Sequence, residues 1–372
     1  MDDADRLDVA VSGGSMGGLF TGLALRYDGH AVDVFERSTG ELESRGGGIV
    51  AQPRMLDFLD AHGIAAPAEI TTTTSRRRYL DRNDGVEREY ADRMSFTSWD
   101  AVYRQLRDAF PDDRYRMGKR TVDADSDGRT ATLAFDDGST ARADLAVVAE
   151  GGRSSTRDRF LPGVEPEYAG YVAWRGVTPE SAVPAAVNER FEDVFTFYQV
   201  PHDLVLGYLI PGPDGGTATG ERRLNWVWYD DVRDRDERRL LTDEDGRRRE
   251  FSVPPGKLRS DVESRLRADA EGLPATFADL VAATDEPFVQ AIYDLTVPRM
   301  VFDRICLLGD AAFVARPHTA AGTAKAAADG IELADALEGD VETALDRWER
   351  ERLEAGRRLV AEGRRMGENY MN

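Results

Sequence analysis

The chain has 372 residues, 41% of them apolar, with 69 acidic against 48 basic side chains and a formal net charge of -21. That length and apolar content suffice for a sizeable core and two domains, while so acidic a surface repels nucleic-acid phosphates and anionic membranes and argues against both as partners. Only three lysines are present, and dense carboxylates with so little lysine suit a salt-rich cytoplasm that screens their repulsion, so a halophilic host is expected.

The acidic N-terminus, Met1 to Arg6, has no apolar core of a signal peptide, and no uninterrupted stretch approaches the eighteen or so apolar residues needed to span a bilayer. A soluble, cytoplasmic protein is expected. The single cysteine, Cys306, sits in the apolar run Ile305-Cys306-Leu307-Leu308 and reads as a packed core thiol.

Val9-Ala10-Val11 runs into Ser12-Gly13-Gly14-Ser15-Met16-Gly17-Gly18, then through a helical stretch into Val32-Asp33-Val34-Phe35-Glu36-Arg37. This is a strand-turn-helix-strand unit of the dinucleotide-binding type. Gly13 permits the turn, the helix N-terminus offers free N–H groups to a pyrophosphate, and Glu36, eighteen residues past Gly18, ends the second strand where a carboxylate can accept from ribose hydroxyls. Ser15 replaces the middle glycine of G-x-G-x-x-G; it is small, and its hydroxyl can donate to a phosphate.

After a loop from Ser38 to Arg45, Gly46-Gly47-Gly48 precedes Ile49-Val50-Ala51-Gln52-Pro53, which predicts backbone passing close to something flat or bulky, or else a mobile surface loop. A short helix ends at Gly63. Ser75 to Tyr90 reads as a hairpin turning at Asn83-Asp84-Gly85. Thr97-Ser98-Trp99 caps a helix with Val102, Leu106 and Phe110 on one face. Asp144 to Ala149 is apolar without alternation, as a buried parallel strand would be, and ends in Glu150-Gly151-Gly152-Arg153.

From about Pro162 to Pro298 aromatics alternate, as in Phe195-Thr196-Phe197-Tyr198 and Trp226-Val227-Trp228-Tyr229, predicting antiparallel strands of a second sheet. Asp230 to Arg249 reads as a solvated excursion, and Leu258 to Leu280 as helical. Arg304-Ile305-Cys306-Leu307-Leu308-Gly309-Asp310 is another buried strand, and Asp310 lies at its carboxyl end, where open α/β sheets bind ligands. Small residues from Ala320 open a helix that can face the same ligand. Val341 to Met366 reads as an amphipathic helix packed on the outside, with Leu345, Trp348, Leu353 and Leu359 inward.

The expected fold class is α/β: a Rossmann-like domain with a parallel sheet (1-70, 99-161 and 296-340), an α+β substrate domain with an antiparallel sheet (71-98 and 162-295), and a C-terminal helix (341-372).

These motifs together resemble the single-component flavoprotein aromatic hydroxylases, the group that includes para-hydroxybenzoate hydroxylase. The resemblance rests on G-G-S-x-x-G, the E-R-S after the second strand, R-G-G-G-I-V-A-Q-P, S-W-D-A-V-Y-R-Q-L-R and the block from Arg304 to Gly330, and covers Val9 to about Leu337. Y-V-A-W-R-G and S-V-P-P-G are similar to segments of the 2,6-dihydroxypyridine 3-hydroxylase branch. The resemblance implies FAD, NADH or NADPH as a transient co-substrate, O2, and hydroxylation of an electron-rich, hydroxypyridine-like ring through a flavin C4a-hydroperoxide. It implies a small aromatic molecule as partner, and a homodimer is compatible with it.

The FAD contacts it implies are Gly13, Ser15, Met16, Glu36, Arg37, Gly48, Gln52, Asp310, Pro317, Ala320, Ala321, Gly322 and Thr323. Trp99 stands where many members carry arginine, which makes Arg104 the substitute for the flavin contact. Glu150 replaces the usual Asp of a D-G motif associated with FAD and nicotinamide. The chemistry needs a base for the substrate hydroxyl. Among the histidines His318, inside the flavin-facing block, comes first, with Tyr198 second; His202 lies in a turn, and His30 and His62 read as surface or capping residues. Tyr208 and Trp226 are further candidates for the substrate face. A halogenase is disfavoured because Tyr229-Asp230 follow Trp226-Val227-Trp228. A flavin-dependent oxidoreductase on another substrate without hydroxylation and a non-catalytic flavin-binding redox sensor remain as rivals.

Overall fold

The computed structural model describes residues 6–40, 42, 47–232 and 237–371; the N-terminal acidic run up to Asp5, and Arg45 and Gly46 of the glycine-rich loop, lie outside the described residues. One sheet has six strands in the order Val301–Phe302, Ile305–Leu307, Leu145–Val148, Asp8–Ser12, Ala31–Glu36, Tyr115–Met117, all parallel except the first pair. Its central strands are buried on both sides, which is why they read as continuous apolar runs. The helices Met16–Tyr27 and Gly322–Ala336 pack on each other over this sheet. Cys306 is fully buried there, and burial pushes its thiol pKa well up.

A second sheet of ten strands is antiparallel apart from the pairing of Val194–Val200 with Thr72–Leu80. Thr72–Leu80 and Val86–Ser98 form the expected hairpin, whose turn is tied by the Asp81 carboxylate accepting from the backbone of Asn83 and Gly85. Strand alternation gives this sheet two chemically distinct faces. One carries Trp174, Tyr198, Trp226 and Trp228 against the helices Ser260–Ala270 and Ala275–Ala282. The three indole N–H groups there donate to Asp230, Thr284 and Asp203 at 2.8–3.0 Å. The other carries Tyr171, Phe195, Phe197, Tyr208, Val227 and Tyr229.

Three expectations need correction. The helical region near Leu258 breaks between Ala270 and Ala275, where Gly272 and Pro274 interrupt it. The excursion after Asp230 is not wholly solvated: Asp243 is fully buried, paired with Arg249 at 2.7 Å and accepting from the Arg247 N–H. The C-terminal helix, Val341–Met371, does not simply lie outside. Its buried face includes Gly356, Gly363 and Gly367, and an added Cβ at these positions would meet Phe313, Arg316 and Tyr171. It therefore closes over the segment that carries His318. Among the described residues no helix is long and apolar enough to cross a membrane.

Candidate functional site

A cleft of about 420 Å³ opens at the carboxyl ends of the parallel strands. Its lining includes Gly13, Ser15, Met16, Glu36, Arg37, Asp310, Gly322 and Thr323, together with Trp99, Lys119, Glu150 and Arg153. Gly13 has φ +107°, and a Cβ there would lie 2.3 Å from the Ala149 carbonyl oxygen, so the turn tolerates no side chain. Ser15 is the N-cap of the first helix but its hydroxyl makes no capping bond, which leaves it and the first-turn N–H groups to a ligand in the cleft. This is a cradle that fits a pyrophosphate.

The Glu36 carboxylate accepts from the backbone N–H of Gly14 and of Ser38, both at 2.8 Å. It is buried and braces the glycine turn while its edge still reaches the cleft. Glu150 is equally occupied: it accepts from the Ser12, Ser154 and Thr156 hydroxyls at 2.7–2.8 Å. The longer side chain is thus folded back onto its own turn.

Asp310 projects into the cleft, exposed there yet enclosed by protein. That enclosure raises its pKa, with Asp329 adding to the rise and Lys325 opposing it. Behind it, the buried Asp329 carboxylate accepts from the Gly309 N–H at 2.9 Å, pairs with Arg352 at 2.7 Å and meets Lys325 at 3.4 Å. Sequence reasoning missed this hub; the signal available was a Lys325/Asp329 i,i+4 pair inside an alanine-rich helix.

Arg104 does not line the cleft among the described residues; Trp99 does, stacked on Tyr103 with ring centroids 4.8 Å apart. Trp99 starts the helix Trp99–Ala109 at the cleft, whereas Arg104, more than one turn on, lies near Arg223.

The 47–52 segment and the 317–321 segment meet above the second sheet. The Gly48 N–H donates to Asn225 Oδ1 at 2.7 Å, and a Cβ on Gly48 would stand 2.8 Å from the Tyr208 ring, so the expected close passage is against Tyr208 and Asn225. Gln52 Nε2 donates to the carbonyl of Ala320 at 3.4 Å, and Ala320 takes the left-handed conformation, φ +52°. Ala321 caps the helix Gly322–Ala336.

His318 projects into an aromatic box. Its Nε2 lies 2.8 Å from the Tyr171 hydroxyl, and its ring centroid lies 4.1 Å from Tyr229 and 5.2 Å from Tyr370. Its Nδ1 is buried and, among the described residues, has no partner. Burial, helped by the nearby Arg316, pushes its pKa down to about 3, so the imidazole is neutral at physiological pH. Arg316 itself is held by Asp294 at 2.9 Å.

Tyr198 is not beside His318. In the register Tyr198↔Val205↔Trp228↔Trp174 it belongs to the tryptophan face, as does Trp226, while its neighbour Phe197 belongs to the other. Strand parity alone separates them. Tyr208 is on the His318 side. The remaining histidines are elsewhere: His30 Nδ1 accepts from the Leu7 N–H, His62 stacks on Tyr27, and His202 sits in a left-handed turn against Asp231.

A second cavity of about 490 Å³ shares Arg37, Glu150, Arg153 and Asp310 with the cleft and adds Arg249, Phe251, Gln290, Tyr293 and Pro317. Arg153 lies over the Phe251 ring and pairs with Glu250 at 3.0 Å.

Residues 168–294 match the family described as FAD binding domain-like. The chain is 38% identical over 365 residues to the 2,6-dihydroxypyridine 3-monooxygenase of Paenarthrobacter nicotinovorans, covering 96% of this chain and 90% of that one. The solved structure of 2,6-dihydroxypyridine-3-hydroxylase from Arthrobacter nicotinovorans superimposes with a TM-score of 0.93 at 36% identity, covering 98% and 93% of the two chains. Klebsiella pneumoniae HpxO, solved with FAD and uric acid, shares the fold at 24% identity and a TM-score of 0.78, covering 96% and 87%. The chain belongs to the FAD-dependent aromatic hydroxylases, the flavoprotein monooxygenases that include 2,6-dihydroxypyridine 3-monooxygenase.

Proposed function

We propose that this monooxygenase hydroxylates a hydroxypyridine-type ring, held between the 317–323 segment and the Tyr208/Tyr229 face of the second sheet. The observation that carries the reading is the continuity of that arrangement. A dinucleotide cleft begins at Gly13 and runs to Gly322 and Thr323, and the same segment bears His318 against an aromatic face. The named substrate of the 38%-identical relative supports the ring class.

The residues present fit FAD. Gly13, Ser15 and Met16 would hold its pyrophosphate at the first helix N-terminus, Glu36 and Arg37 would take the adenosine half, Asp310 the polar middle, and Gly48, Gln52, Pro317, Ala320, Ala321, Gly322 and Thr323 the isoalloxazine. The bound flavin supplies reduction by NAD(P)H and activation of O2.

The chain's own residues do the rest. The buried aromatic face excludes water from the reacting ring. His318, kept neutral, offers its free Nδ1 to the substrate hydroxyl, and its Nε2 is fixed by Tyr171. Because protonation of this imidazole is disfavoured, its role is to orient and polarise the hydroxyl, and the proton does not rest on it. The cavity of Arg37, Arg153, Arg249 and Phe251 beside the cleft is cationic and aromatic in an otherwise acidic protein, which suits the phosphates and ring of the nicotinamide cofactor.

The test is NADH and NADPH consumption by the purified yellow protein with and without hydroxypyridines and phenols. Stimulation by a hydroxypyridine, with a product one oxygen heavier, is the expected result. Consumption indifferent to every ring would contradict the proposal.

A further inference from the structure

We propose that the strand Val86–Ser98 is an interface between two copies of this chain, paired antiparallel about a two-fold axis at Tyr90.

Gly48–Val50 pairs with Phe96 to Ser98, and the Ala51 N–H donates to the Ser95 carbonyl. From Val86 to Met94, among the described residues, no strand lies on the outer side. Val86 to Ala91 are exposed without a break. Val86 and Tyr90, 49% and 43% exposed, are two of the four large apolar side chains that stand out among the described residues. An unpaired edge with apolar side chains is a template for another strand. This edge is also fixed in place. At the hairpin turn the Asp84 carboxylate accepts from the Thr276 N–H and hydroxyl at 3.0 and 2.9 Å and pairs with Arg190 at 3.2 Å, so little order is lost when a partner strand adds to it.

The charges select the register. Two antiparallel copies about a two-fold axis set one residue opposite itself. With Tyr90 there, Arg88 of each copy faces Asp92 of the other. Both side chains lie on one face of the sheet: Arg88 is 3.9 Å over the Tyr79 ring, and Asp92 pairs at 2.8 Å with Arg77, which itself lies over Phe197. Opposite charges across a strand pair favour it and like charges oppose it. Centring the pair on Glu89 or on Arg88 sets that charge against its own copy, and centring it on Ala91 leaves Arg88 opposite Met94. The irregularities of the strand agree with Tyr90. Its ladder to Thr72–Leu80 is regular from Arg88 to Ala91, with Glu87 extra at one end and Asp92-Arg93 at the other, so Glu87 of each copy comes opposite Arg93 of the other.

Net charge favours the same surface. A chain of net charge -21 is repelled by a second copy over most approaches. The hairpin from Thr72 to Ser98 instead carries six arginines and five carboxylates, a balanced patch on which two acidic chains can meet.

Sedimentation velocity of the holoenzyme across protein concentrations tests this. The wild type should approach twice the 41.1 kDa of one chain. Arg88→Asp and Asp92→Arg each set like charges opposite and should raise the dimer dissociation constant at least about tenfold. An equimolar mixture of the two variants should recover the dimer, because the carboxylate introduced in one meets the arginine introduced in the other while native Asp92 meets native Arg88. That recovery, at unchanged flavin content, separates lost pairing from a lost fold. Tyr90→Cys adds a thiol to a chain whose one native cysteine, Cys306, is fully buried. Copper-phenanthroline oxidation should link two copies through it, since residues opposite on neighbouring strands lie within disulfide reach. Glu87→Cys, about 20 Å from its like in this register, should stay unlinked.

A wild type that sediments as one chain at every concentration overturns the proposal. So does a dimer that both charge variants leave intact, a mixture that stays monomeric, or linkage through Glu87→Cys and not through Tyr90→Cys.

Discussion

Tyr171, on a strand of the second sheet, and His318, on the loop after the last parallel strand, share a hydrogen bond of 2.8 Å between the phenolic oxygen and Nε2. That contact ties the second sheet to the loop that follows the parallel sheet. It fixes the imidazole plane, and the Arg316 side chain beside it is held in turn by Asp294.

His318→Gln and Tyr171→Phe should therefore both depress turnover. We expect His318→Gln to lower kcat about 100-fold, the scale of loss when a group that orients the reacting hydroxyl is displaced. Tyr171→Phe should lower it less, since the ring remains but loses its fixing bond. FAD content should be unchanged in both. Steady-state NADH oxidation coupled to product detection measures this, and a wild-type kcat in His318→Gln would remove His318 from the mechanism.

The same histidine predicts a pH signature in stability. Its pKa falls from the ordinary 6.5 to about 3 in the folded protein, so between those values the unfolded chain binds a proton that the folded one refuses. Stability from this residue is complete above pH 6.5 and is lost as the pH falls toward 3, by at most about 1.4 kcal/mol per pH unit. Denaturant unfolding of wild type and His318→Gln across that window should give curves that diverge in this way. Parallel curves would mean that the imidazole is solvated.

At the adenine end, Ser15→Asp should abolish FAD retention by setting a carboxylate against the pyrophosphate. Trp99→Ala should weaken FAD at least about tenfold, a loss of about 1.4 kcal/mol, whereas Arg104→Ala should leave it unchanged. Flavin absorbance of the purified variants after dialysis reads all three. Loss of flavin in Arg104→Ala with retention in Trp99→Ala would restore the arginine as the contact.

Much of this was legible from residues alone. The turn at Gly13, the carboxyl-end position of Asp310 and the aromatic character of the second sheet all follow from local pattern, because a tight turn, a buried parallel strand and an alternating strand each leave a short-range signature. Which face Tyr198 presents did not follow. Alternating aromatics on both sides of a sheet carry no mark of which side the cofactor occupies, and only the pairing with Val205 and Trp228 decides it. That Trp99 itself lines the cleft did not follow from the resemblance, which pointed to Arg104; the start of the helix sets the indole there. The inward face of the C-terminal helix was hidden because Gly363 and Gly367 register as gaps in an apolar pattern, although they are what lets the helix approach Arg316 and Tyr171.

The Asp329 hub was equally silent, and it yields a stability prediction. Asp329→Ala leaves Lys325 and Arg352 buried without their shared anion and the Gly309 N–H unsatisfied. Destabilisation of about 3–5 kcal/mol is expected, with FAD loss because the Gly309-Asp310 turn is released. Thermal unfolding of Asp329→Ala beside Asp329→Asn measures it. Asparagine keeps an acceptor for Gly309 and should retain more flavin, and equal stability of both variants with wild type would contradict the assignment.

Insertion of one atom of dioxygen into a hydroxypyridine ring is read by turnover under isotopically labelled dioxygen with NADH or NADPH and 2,6-dihydroxypyridine. The expected product is heavier by one labelled oxygen and forms only with reduced nicotinamide present. A product that draws its oxygen from water, or NADH oxidised to peroxide with the ring returned unchanged, would contradict it.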